Sequence, residues 1–157
     1  MGLAWLRSRK AWLAASAAIV IALGIGGVLA ETLHPRAHQI VFQINADDLA
    51  PMKHVVSNSM NLVRYFRDKH EPVQIEIVAY GAGIAMFRDD KSPVRDVLEY
   101  IHANFPEIAF TVCGSSKTIT EQREGHPMPL IEGTRIVPFG IVRIVELEEA
   151  GWSYIRP

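Results

Sequence analysis

The sequence predicts an α/β fold, in which a mainly parallel sheet of about five strands is covered by helices on both faces. A hydrophobic N-terminal helix is expected to precede it. Three observations carry this expectation. From residue 38 onward, short apolar stretches alternate with segments of helical spacing. The connections are short and rich in Gly, Pro and Asn, as in strand–helix–strand units that build parallel sheets. Residues 11–30 form an uncharged, largely apolar run about as long as a bilayer core requires. At 157 residues the chain has room for one domain with one core.

The first segment is unlike the rest. Arg7, Arg9 and Lys10 precede the apolar run, and Val28-Leu29-Ala30 ends it in small residues. Residues 1–30 therefore read as a signal peptide cut after Ala30 or as an uncleaved inner-membrane anchor. In either case the chain from Glu31 onward faces the periplasm or the cell exterior. All seventeen acids and thirteen of the sixteen basic residues lie beyond residue 30. That mildly acidic domain argues against nucleic-acid binding, which needs clustered Lys and Arg.

Residues 31–37 read as a linker. His34 and His38 are four apart, but Pro35 breaks any helix and no Cys or acid joins them, so no metal site is expected. His38 to Asn45 is a strand, and Asn45-Ala-Asp-Asp48 opens a helix with acids at its positive end and Pro51 in its first turn. Met52, Val55, Val56, Met60, Val63 and Phe66 continue that helix to about Lys69. Val73 to Tyr80 is the second strand, followed by a Gly81-Ala-Gly83 turn that lacks the third glycine of a dinucleotide fingerprint. Ser92-Pro93 opens a helix with Val94, Val97, Leu98 and Ile101 on one face. Ile108 to Cys113 is the third strand, and a polar helix then runs to about Gln122. Glu124 to Gly133 is a loop, Arg135 to Pro138 a brief strand, and Phe139 to Ala150 a helix capped by Gly151. Trp152 to Ile155 makes the last strand.

Sites in open parallel sheets collect at the carboxyl ends of strands. Three such ends are Asn45-Ala-Asp-Asp48, Tyr80-Gly-Ala-Gly83 and Cys113-Gly-Ser-Ser116. Cys113 is the only cysteine, so an exported chain cannot close an internal disulfide with it. Placed before Gly114, Ser115 and Ser116, its thiol would meet backbone N–H groups and the positive end of a helix, which favours thiolate. The other reading of Cys113 is a small buried apolar residue. The sequence has neither a GxxxxGK[ST] loop nor a GxSxG elbow, and no cofactor is expected. No histidine has a spacing diagnostic of a Cys–His hydrolase. Asp47/Asp48 and Asp89/Asp90 read as caps and turns rather than a glycosidase pair.

Several stretches together resemble the DsrE/DsrF-like family, small α/β proteins associated with sulfur oxidation and sulfur relay. They are Asn58-Ser-Met-Asn61, the block from Ile75 to Ile84, and Phe110-Thr-Val-Cys-Gly114. The ending is the most specific part, from Ile136-Val-Pro-Phe-Gly140 to Tyr154-Ile-Arg-Pro157. The resemblance covers residues 38–157. It implies a three-layer α/β/α fold, frequent homo-oligomers, and a cysteine at the position of Cys113 that carries sulfur as a persulfide. Ser115 stands where the family often has asparagine and Tyr80 where histidine is frequent, either of which bears on thiol activation. The export segment is a larger departure, since the relay members work in the cytoplasm.

The sequence thus leads to an exported, sulfurtransferase-like sulfur carrier with Cys113 as acceptor and Gly114, Ser115 and Ser116 as its backbone cradle. Gly81 and Gly83 would let backbone approach the sulfur or its donor, with Asn45 and Asn61 as further polar contacts. Its partners would be copies of itself, a sulfur donor and a sulfur acceptor, with the membrane added if residues 11–30 are retained. The alternative is a non-catalytic oligomeric binding module at the membrane with Cys113 buried. A redox sensor acting through an intermolecular disulfide is a third reading.

Overall fold

The computed structural model describes residues 36–157. The expected signal peptide or anchor, and all but the last two residues of the expected linker, lie outside the described residues. Among the described residues, no helix is long and apolar enough to cross a membrane.

The elements follow the expected alternation. They are β1 (His38–Ile44), α1 (Leu49–Asp68), β2 (Val73–Ala79), a 3-10 helix (Gly81–Phe87), α2 (Arg95–Asn104) and β3 (Ile108–Cys113). Then come α3 (Gly114–Glu124), β4 (Arg135–Val137), α4 (Gly140–Glu149) and β5 (Ser153–Ile155). The five strands form one sheet in the order β4-β3-β2-β1-β5. Every neighbouring pair is parallel, with Ile40 opposite Ile75, Ile75 opposite Ile108, and Thr111 opposite Arg135.

Because side chains alternate along a strand, each face of the sheet carries its own core. One face presents Ile40, Phe42, Ile44, Ile75, Ile77, Phe110 and Val112. Against it lie Met52, Val55, Val56 and Val63 of α1, Leu98 and Ile101 of α2, and Ile84, Met86 and Phe87 of the 3-10 helix. The other face is smaller: Val41 and Val78 pack on Ile144 and Leu147 of α4, with Tyr80 and Trp152 at the margin. Helices on both faces agree with a three-layer arrangement.

Local chemistry explains the boundaries. Pro51 is the third residue of α1, where its missing N–H would have had no partner in the helix. Asp48 is the N-cap of that helix, yet its carboxylate makes no capping hydrogen bond. Gly125 (φ 76°) ends α3 in the left-handed conformation, and Gly151 (φ 90°) follows α4 in the same way.

Two segments differ from the sequence expectation. Gly81–Phe87 continues beyond the expected turn as a buried 3-10 helix, because Ile84, Met86 and Phe87 are all drawn into the larger core. The loop from Glu124 to Gly133 is also fastened down: Met128 and Ile131 are buried, and Ile131 N–H donates to the Phe87 carbonyl at 3.0 Å. Arg88, only 4% exposed, ties these parts together. It forms paired bonds to Asp90 (2.9 and 2.8 Å) and to Glu124 (2.7 and 2.8 Å).

Candidate functional site

Cys113 is the last residue of β3 and the N-cap of α3, with extended backbone (φ −68°, ψ 114°). The strand therefore delivers the thiol to the sheet's carboxyl edge, and the chain turns into a helix in the next residue. Its side chain leaves on the smaller-core face, under the connection between β4 and α4. Cys113 is buried there, 5% exposed. The Pro138 carbonyl lies 3.9 Å from Sγ, in range to accept from the protonated thiol.

Gly140 explains how the cover comes so close. A Cβ there would stand 3.0 Å from Tyr80 Cβ and 3.2 Å from Cys113 Cβ, so only glycine admits this approach without displacement. Gly114 is similarly tight, with Ile136 Cγ2 and the Val137 carbonyl each 3.2 Å from a would-be Cβ. The Ser115 N–H donates to the Pro138 carbonyl at 3.2 Å, fastening the cover to the start of α3.

These contacts set the thiol's electrostatics. Burial pushes the Cys113 thiol up, because a thiolate loses hydration there. The Ser116 hydroxyl and the N–H groups of Gly140, Ser116 and Ser115 act in the opposite direction and outweigh burial. The net result is a thiol below its ordinary value. Two helix N-termini, those of α3 and α4, thus converge on one sulfur, each with N–H groups left unpaired by its own helix. Ser116 is itself oriented: its Oγ accepts the Gly81 N–H at 2.8 Å, which leaves the hydroxyl proton for the sulfur. Gly81 adopts φ +55°, a conformation that favours glycine.

The structure brings together Cys113, Gly114, Ser115, Ser116 and Gly81 from the sequence-based set. Asn45 is exposed at the end of β1, and its backbone carbonyl lies 3.5 Å from a would-be Gly81 Cβ. Gly83 serves packing instead. A Cβ there would lie 2.3 Å from the Ile44 carbonyl oxygen, so the 3-10 helix presses on the backbone of β1 rather than on the sulfur. Asn61 sits twelve residues into α1 and lines a separate groove with Phe42, Asn58, Leu62, Tyr65 and Ile155.

On the same face of the sheet as Cys113 lies a polar cluster that the sequence reading missed. Glu76, 2% exposed, is in the middle of β2. Its Oε1 accepts from Thr111 Oγ1 at 2.8 Å and from Arg143 Nε at 3.0 Å. Its Oε2 accepts from Arg143 Nη2 at 2.9 Å and faces Arg135 Nη2 at 3.3 Å. Burial pushes the Glu76 carboxyl up, but bonds from Arg143 and Thr111 and the charges of both arginines hold it below its ordinary value. A groove of about 500 Å³ opens over this cluster, walled by Ile136, Pro138, Phe139 and Val142. The signal in the sequence was a lone acid within the apolar strand VQIEIVA: in a sheet covered on both faces, such a charge needs a partner.

The chain matches no protein-family model and no curated protein. Among solved structures it is similar to MTH1491 from Methanobacterium thermoautotrophicum, described as a protein of unknown function, with a TM-score of 0.64 and 30% sequence identity. The match covers 76% of this chain and 99% of that one. At that identity, over essentially the whole of the archaeal protein, the likeness extends beyond the fold, and the chain belongs to the same family as MTH1491.

Proposed function

We propose that this chain is a DsrE/DsrF-like sulfur carrier that holds sulfane sulfur as a persulfide on Cys113. The observation that carries the reading is the convergence of two helix N-termini and the Ser116 hydroxyl on one sulfur, which favours its thiolate despite burial. The thiolate attacks the outer sulfur of a donor persulfide, R–S–SH. A new S–S bond forms to Cys113 as the donor's S–S bond breaks, and the donor leaves as R–S⁻. The products are the Cys113 persulfide and a donor thiolate, with no external oxidant required. Transfer to an acceptor thiolate repeats the step in reverse, and the N–H groups that hold the Cys113 thiolate also stabilise it as leaving group.

The basic start and apolar run of residues 1–30 support a periplasmic location for this proposed activity, either free or tethered to the inner membrane. Homo-oligomers suit the exposed apolar residues Ile136, Phe139, Ile141, Val142 and Val145 on β4, α4 and their connection. The second reading, an oligomeric binding module with an inert cysteine, is favoured by one observation, the 5% exposure of Cys113.

Alkylation of the native full-length chain across a pH series separates the two. The carrier reading expects a reaction that rises with pH to a midpoint below the free-thiol value of about 8.5. A slow reaction without a pH midpoint contradicts it and leaves the binding module.

A further inference from the structure

We infer that Glu76 is a positioning residue for Cys113, holding the cover of the thiol in place through Arg135 and Arg143. This rests on the carrier reading and concerns how its thiol is set. Arg135 on β4 and Arg143 on α4 bracket the segment Pro138–Phe139–Gly140, which supplies both the Gly140 N–H and the Pro138 carbonyl beside the sulfur. Both ends of that cover are therefore pinned to one carboxylate. Thr111, two residues before Cys113 on β3, pins the same carboxylate from the thiol's own strand.

Along α4, Arg143 Nη1 meets Glu146 at 3.6 Å, a longer contact than those it makes to Glu76. Arg143 lies in the first turn and a half of α4, where the macrodipole disfavours positive charge, and its guanidinium is spent on a bidentate bond to Glu76. The arrangement fixes both the height and the rotation of α4 over the sheet, and with them the aim of the Gly140 N–H.

Charge and position make opposite predictions. Charged and titratable groups on the elements around the thiol include Glu76 on β2, Tyr80 just after it, Arg135 on β4, Arg143, Glu146, Glu148 and Glu149 on α4, and Tyr154 on β5. Lys117 on α3 is tied to Glu121. Replacing Glu76 by Gln removes a negative charge from this set, which by charge alone favours the thiolate and lowers the alkylation midpoint. If Glu76 acts by holding the cover, the same change loosens the Gly140 donor and raises the midpoint.

The experiment is the pH profile of Cys113 alkylation in the full-length wild type, Glu76→Gln and Arg143→Lys, with folding checked by circular dichroism. The midpoint is the readout, because a loosened cover also changes the plateau rate through access. The expected result is a rise of about one pH unit in Glu76→Gln, or on the order of tenfold less reaction at pH 7. Arg143→Lys keeps the charge but loses the fork, and should move the midpoint the same way by less. An unchanged or lowered midpoint in folded Glu76→Gln overturns the inference. If that variant does not fold, an unchanged midpoint in Arg143→Lys overturns it instead. A wild type without a low midpoint removes the carrier reading, and the inference falls with it; a low wild-type midpoint that both variants keep removes the inference alone.

Discussion

A thiol that is 5% exposed ordinarily resists ionisation, so the behaviour of Cys113 depends on a few donor atoms. The Ser116 hydroxyl is the side-chain donor among them, and its Oγ also accepts the Gly81 N–H. Its contribution is of the size of a hydrogen bond to a charged group, about 1.5–3 kcal/mol at most. Ser116→Ala should therefore raise the thiol midpoint by roughly one pH unit and slow alkylation at pH 7 several-fold. The pH dependence of alkylation checks this, and an unchanged midpoint would mean that the N–H groups alone hold the thiolate. At this scale the sequence was informative. A cysteine at a strand's end followed by Gly-Ser-Ser carries its own cradle, and Cys113, Gly114, Ser115 and Ser116 are found together. Gly140 was not legible as a neighbour of the sulfur, because its approach depends on how α4 crosses the sheet.

Among the elements, the 3-10 helix shows most plainly what close approach requires. Gly83 lies against the backbone of β1, and the atom that a side chain would meet is a carbonyl oxygen that cannot swing aside. Gly83→Ala should destabilise the fold by about 2–3 kcal/mol, the upper part of the usual range for overpacking. Denaturant titration measures it. Gly125→Ala offers the contrast: a would-be Cβ meets nothing within 4 Å, so only the φ of +76° opposes it and the loss should be about 1 kcal/mol. The strands and helices were legible to within a few residues because their apolar spacing is local. The 3-10 helix was not, since the run from Gly81 to Phe87 has neither period and is shaped by the core it fills. Asn61 lines a groove apart from the thiol for a related reason. Its place on α1 is fixed by helical rise, which carries it away from the carboxyl edge of the sheet.

For the whole molecule, the buried and bridging ion pairs predict sensitivity to acid. Bonds from Arg88 hold the Glu124 carboxyl down to about 2, against a burial effect in the other direction and with help from Lys91. Glu76 is held low as well, where bonds from Arg143 and Thr111 and the arginine charges outweigh burial. A carboxyl depressed by folding contributes its full stability above its unfolded value, here 4.5, and loses it as pH falls through the folded value. Resistance to denaturant should therefore fall between about pH 4.5 and pH 2. Glu124→Gln should flatten that part of the profile. The parallel α/β class was readable from the alternation of elements, but the strand order β4-β3-β2-β1-β5 was not. Nor was the Glu76–Arg143 pair, whose members are 67 positions apart and meet only once α4 has crossed the sheet.

Sulfur loading tests the proposed chemistry most directly. The full-length chain and its Cys113→Ser variant are exposed to a low-molecular-weight persulfide, and their intact masses are compared before and after reduction. The carrier reading predicts one added sulfur atom on the wild type alone, removed by reductant. No added sulfur on folded wild-type protein, or equal loading of Cys113→Ser, would contradict it.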